Sequence, residues 1–150
     1  MTRINGNIPP KLLVDSHLLA EYREIIRIPN MVNSTDCNII LSRLKNAPKQ
    51  FVLGKGHVLF FYDKILFLHK RFLSILLELK ARGFTTTIDD TLFKNTNTLF
   101  YNDVDLEYSN NIVCERICER ILNMKSIKIN KKNIDKNVYI NYLKTKLNER

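Results

Sequence analysis

Apolar residues recur at helical intervals in three long stretches of the chain. In the first, Leu12, Leu13, Leu19, Tyr22, Ile25 and Ile26 fall on one side of a 3.6-residue repeat. The spacing predicts a helix from Pro10 or Asp15 to Ile28. Pro10 suits a first turn, Asp15 is a candidate N-cap, and Pro29 is the expected stop. In the second, Phe61, Ile65, Leu68, Phe72, Ile75, Leu76 and Leu79 form a core stripe over Val58 to Arg82, closed by Gly83 as the residue after the cap. In the third, Ile112, Val113, Ile117 and Ile121 face inward over Ser109 to Met124.

Shorter signals lie between these stretches. Ile39, Ile40, Leu41 and Leu44 predict a short helix ending before Pro48, followed by the turn LGKGH with Gly54 and Gly56. Residues 84–108 are rich in Thr, Asn and Asp and are expected as loops with short helical turns. Val138 to Leu147 can form a short amphipathic helix with Tyr139, Tyr142 and Leu143 inward. The pattern therefore reads as all-α: a compact single domain of about three main helices with long loops. The expected domain is 1–124, with 125–150 as a basic extension able to fold as a short helix on the same domain. No internal repeat or second domain is visible.

Composition narrows the class. The chain has 150 residues, 45% apolar with eight Phe and six Tyr, which argues for a real core and against disorder. No apolar run approaches ~18 residues, so no membrane span is expected. The net charge of +9 favours a polyanionic partner, nucleic acid before an anionic membrane surface, against a plain reading of solubility alone. From Lys125 to Arg150, eight Lys or Arg stand against Asp135 and Glu149. Cys37, Cys114 and Cys118 are odd in number and without framework spacing. With no secretory leader, they point to a reducing, intracellular setting. Cys114 and Cys118 share a helix face, where packing is the default role.

The candidate chemistry sits at the start of the chain. Thr2 follows the initiator Met, at a site where Met is normally removed. Its freed α-amine would then have an ordinary pKa near ~8 and be about 10% neutral at pH 7, against about 0.04% for a lysine. Glu24, Arg23 and Arg27 follow on the first helix, with His17 seven residues before Glu24. A neutral amine, a carboxylate and guanidiniums suffice for imine chemistry on a sugar. Arg116 and Arg120 share one side of the third helix. The plain readings are an exposed terminus, an i, i+3 Glu24–Arg27 helix pair, and a solvated basic face. His17, His57 and His69 are too scattered for a metal site, and none is expected. His57 is expected to cap or orient the second helix, and Phe60, Phe61 and Tyr62 to be core.

Four strings go further. MTRIN, HLLAEYREIIRI, FVLGKGHVLFFYDKILFLHKR and ARGF, running in order from Met1 to about Phe84, resemble the phage-type pyrimidine-dimer DNA glycosylases with apurinic/apyrimidinic lyase activity; RICERI is a weaker likeness. The resemblance implies a helical single domain without metal or organic cofactor, acting as a monomer on double-stranded DNA that carries ultraviolet-induced cyclobutane pyrimidine dimers or abasic sites. It implies Thr2 as amine nucleophile and Glu24 as catalytic carboxylate, with Arg3, His17, Arg23 and Arg27 at the damaged site or nearby phosphates. Arg116 and Arg120 would grip DNA. Against that pattern, the linker Gly6–Leu12 is altered and one residue longer, and a basic segment replaces an aromatic C-terminal tail. Two other readings fit the same residues: a non-catalytic basic DNA-binding protein on this scaffold, and a glycosylase or lyase for another lesion.

Overall fold

The computed structural model describes residues 3–149. The architecture is helical, as the pattern predicts, with helices α1 (Asp15–Ile25), α2 (Arg27–Ser34), α3 (Cys37–Leu44), α4 (His57–Phe60), α5 (Ile65–Ala81), α6 (Thr91–Lys94), α7 (Asn110–Leu122) and α8 (Lys136–Asn148). A two-stranded hairpin, β1 (Ile127–Ile129) and β2 (Lys132–Ile134), lies between α7 and α8. Helix α1 packs across α5, and α7 is backed by α8. One continuous core contains Leu18, Tyr22 and Ile25 of α1, Leu68, Phe72, Ile75 and Leu79 of α5, and Val113, Ile117 and Ile121 of α7. No helix among the described residues is long and apolar enough to cross a membrane.

The first helix ends earlier than its pattern suggests. It stops at Ile25, turns through Ile26 in a helical conformation (φ −69°, ψ −17°), and continues as α2 with Pro29 inside. Pro29 is the third residue of α2, where the backbone N–H has no acceptor within the helix, so the missing donor costs nothing there. The proline thus helps to begin a helix instead of ending one. Pro10 to Leu12 form a separate 3-10 turn.

The second stripe is also interrupted. Residues 61–64 form turns between α4 and α5, although neither Gly nor Pro marks the break. The freed backbone groups find partners on the 84–108 segment: Asn102 donates to the Asp63 carbonyl at 2.9 Å, and Phe67 N–H donates to the Asn102 carbonyl at 3.3 Å. The C-terminus of α5 follows its sequence closely. Gly83 takes φ +82°, and Gly83 and Phe84 donate back to Lys80 and Leu79. The loop segment is held to α5 by His69, whose ring nitrogens meet Tyr101 Oη at 2.5 Å and Asp90 Oδ2 at 2.7 Å.

Asp15 is not an N-cap. It is the first residue of α1, is 7% exposed, and ties three elements together. Its carboxylate pairs with Arg82 at 2.8 Å and accepts the N–H groups of Asn130 and Lys131 at 2.9 and 2.7 Å. Those two residues form the hairpin turn with φ of 55° and 68°, a conformation that two-residue hairpins require and that Asp15 holds in place. Two inward assignments are also corrected: Ile112 and Tyr142 are exposed, each lying beside the buried stripe on its own helix and not within it. Tyr139 is fully buried, and its hydroxyl donates to the Leu12 carbonyl at 2.7 Å.

Candidate active site

A small pocket of about 60 Å³ opens between α1, α7 and the N-terminal segment. Helix α1 contributes His17, Ala20, Glu21 and Glu24, positions spaced so that they share one face. Helix α7 contributes Arg116, Ile117 and Arg120, and the N-terminal segment contributes Arg3 and Asn5. Of the residues expected to act together, the fold therefore gathers Glu24, Arg3, His17, Arg116 and Arg120. Arg23 and Arg27 are exposed and do not line the pocket. Thr2 lies outside the described residues. Among the described residues no Glu24–Arg27 ion pair forms, so the plain helix-pair reading of Glu24 does not hold.

The N-terminal segment reaches the pocket because it is built to be buried. Ile4 and Ile8 are fully enclosed in the core. Between them Gly6 has φ +55°, and a Cβ there would meet Ser109 Oγ at 2.9 Å and Val113 at 3.4 Å. Backbone groups along the segment are matched in turn. Arg3 N–H donates to Glu24 Oε2 at 3.1 Å, and Ile4 N–H donates to His57 Nε2 at 2.9 Å. Arg116 donates to the Ile4 carbonyl at 3.4 Å and to Asn5 Oδ1 at 3.2 Å, and Arg71 donates to the Ile8 carbonyl at 2.8 Å.

Three residues that sequence reasoning passed over hold the pocket wall. Glu21, 1% exposed, accepts from Asn5 Nδ2 at 2.7 Å and from Arg71 through both guanidinium edges, Nη2 at 3.0 Å and Nε closer still. The bidentate pair satisfies a buried charge that would otherwise cost several kcal/mol. A signal for it exists in the pattern. Glu21 falls on the apolar face of α1 between Leu18 and Ile25, and Arg71 falls on the α5 stripe between Leu68 and Ile75. Opposite charges inside two apolar stripes mark a buried pair.

The electrostatics favour uncharged histidines beside several cations. Burial, then the nearby Arg116 and Arg3 guanidiniums, lower the pKa of His17, against a smaller opposing effect of Glu21. A lowered pKa leaves the His17 imidazole mainly neutral at neutral pH. His57 does not cap or orient the second helix as expected. It is the first residue of α4, but its ring faces the N-terminal segment and is held below its ordinary pKa chiefly by burial. Arg116 is likewise lowered by burial and by Arg3, while remaining a cation. On the far side of α7, burial and the Cys118 thiol push the Cys114 thiol up to about 11, which fits an unreactive packing residue. Among the described residues no cluster of His, Cys, Asp or Glu could hold a metal ion.

The arrangement offers a carboxylate that accepts one neutral N–H, several guanidiniums, and a neutral histidine around a small pocket that opens at the surface. Residues 1–92, more than half of the chain, match the family model described as pyrimidine dimer DNA glycosylase. The matched stretch holds Arg3, Asn5, His17, Glu21, Glu24 and Arg71, whereas Arg116 and Arg120 come from beyond it.

Proposed function

The chain belongs to the pyrimidine dimer DNA glycosylase family, and from that premise we propose that it cleaves the 5′ glycosidic bond of an ultraviolet-induced cyclobutane dimer, leaving the base attached through the cyclobutane ring, and then nicks the strand as an apurinic/apyrimidinic lyase. The observation that carries this reading is the hydrogen bond from Arg3 N–H to Glu24 Oε2 at 3.1 Å, inside the pocket. That N–H belongs to the Thr2–Arg3 peptide bond. Glu24 therefore accepts from the backbone directly next to Thr2 in sequence. With the lengthened linker Gly6–Leu12 in place, Arg3 N–H still meets Glu24, which supports the reading.

In the proposed reaction, removal of Met1 frees the Thr2 amine. Its lone pair attacks C1′ of the nucleotide on the 5′ side of the dimer, and the glycosidic bond breaks with its electron pair leaving on the base. The C1′–O4′ bond then breaks, O4′ taking a proton and staying on C4′ as a hydroxyl, to give an open-chain imine. Glu24 stabilises the positive charge developing on the sugar and shuttles protons during imine formation. Loss of a C2′ proton then expels the 3′ phosphate, cleaving the strand by β-elimination. Arg3, Arg116 and Arg120 bind phosphates beside the reacting sugar, and Arg23 and Arg27 extend the contact along the exposed ridge of α1.

The experiment is borohydride trapping with Met-processed protein on ultraviolet-irradiated duplex and on abasic duplex. A covalent adduct on both, lost in Glu24→Gln and in protein retaining Met1, is the expected result. An adduct on abasic duplex alone would move the proposal to another lesion. Salt-sensitive binding with no adduct on either would leave a non-catalytic DNA-binding protein.

A further inference from the structure

His57 contributes nothing to the reaction as written above, yet it touches the segment that carries the proposed nucleophile. Its Nδ1 lies 2.8 Å from the Val52 carbonyl, and its Nε2 lies 2.9 Å from Ile4 N. A carbonyl on one side and an N–H on the other admit only one arrangement, with the proton on Nδ1 and the lone pair on Nε2. The ring is wedged edge-on against Phe51 and Phe61, with centroids at 5.2 and 5.5 Å, and cannot turn to exchange partners. Consecutive peptide N–H groups of the N-terminal segment thus go to two different acceptors, Arg3 to Glu24 and Ile4 to His57.

We propose that His57 is a positioning residue for the reaction: the Nε2 lone pair fixes Ile4, and through it holds the chain ahead of Ile4 against Glu24. The inference rests on the Thr2 amine being the nucleophile. The charged groups facing the ring are Arg3 of the N-terminal segment, Glu21 of α1 and Arg116 of α7, two cations and one anion. Protonation would turn the Nε2 acceptor into a donor aimed at another N–H and add a third cation. Acid therefore releases the clamp. The lowered pKa of His57, caused first by burial, agrees with that direction.

The test compares wild type with His57→Gln, whose side-chain oxygen can accept from Ile4 without titrating, and with His57→Ala. Single-turnover excision on dimer-containing duplex is followed from about pH 8 to pH 5. The logarithm of the rate should fall with unit slope as the amine protonates, then steepen toward a slope of about two in wild type as His57 takes its proton. His57→Gln should keep the unit slope throughout. His57→Ala should lose about a hundredfold in rate at pH 8 while its Kd for the same duplex changes little. In the DNA-free protein, the protection factor of the Ile4 amide, its exchange measured against the intrinsic rate at each pH, should fall on acidification in wild type but not in His57→Gln. That measurement is independent of imine chemistry, so it separates failure of the clamp from failure of the proposed reaction. A Gln variant that steepens like wild type, or an Ile4 protection factor indifferent to acid in wild type, overturns the proposal. Parallel losses of rate and Kd in His57→Ala do so as well. Should His57→Ala fail to fold, the Gln comparison decides alone.

Discussion

Glu21 and Glu24 are three residues apart on one face of α1, and both reach the same pocket. Glu21 is enclosed and has its oxygens on Asn5 and the Arg71 guanidinium. Glu24 is half-buried and accepts the Arg3 backbone N–H. In the proposed reaction one helix face would supply both a wall, through Glu21, and a reacting carboxylate, through Glu24. A carboxylate neutralised by a buried guanidinium is a poor proton shuttle, because its charge is already committed. A half-buried carboxylate that meets a neutral donor keeps its charge available for a cationic transition state.

The sharpest way to break this comparison is to remove each carboxylate in turn. Glu24→Gln should lower the excision rate by about 10²–10⁴ while shifting stability by less than ~1 kcal/mol, since an amide oxygen still accepts from Arg3. Glu21→Ala should do the opposite in kind, costing about 3–5 kcal/mol in denaturant melts because it strands the Arg71 charge. Equal stability losses in the two variants would erase the distinction between the two carboxylates.

Smaller effects sharpen it. Gly6→Ala places a side chain at φ +55° against Ser109, and should cost about 1–2 kcal/mol with a loss of excision. Arg23→Ala and Arg120→Ala should each reduce the slope of log K against log salt by about one. An unchanged slope for Arg23 would put that exposed ridge off the DNA. Thermal melts from about pH 7.5 to 5 test the histidines. Both His17 and His57 have lowered folded pKa values, so their contribution is complete above the unfolded value of 6.5 and is lost as the pH falls through the folded ones. His57→Gln should flatten part of that decline.

Much of this was legible in the sequence because it depends on local pattern. The stripes of α5 and α7 and the glycine stop at Gly83 follow from periodicity and backbone preference. Pro29 misled because its effect depends on where a helix begins, and the turn at Ile26 is set by packing. The break before α5 carries no punctuation, since its stabilising partner, Asn102, is distant in the chain. The hairpin turn was invisible for the same reason: Asn130 and Lys131 take their conformation with the help of Asp15. Within the pocket, Glu24, Arg3 and His17 were reached through their strings. Glu21 and Arg71 were missed, although a charge on each apolar stripe announced them.

The hydrogen bonds of the N-terminal segment also set an order of events during synthesis. His57 follows Ile4 by 53 positions and Arg116 follows it by 112. At ribosomal rates of about 5–20 residues per second, the full clasp forms on the order of ten seconds after the segment emerges. Throughout that interval the first residues are uncovered to the aminopeptidase that trims nascent chains. Late closure would leave time for the Met1 removal that the proposed reaction requires, even though Ile4 ends fully buried.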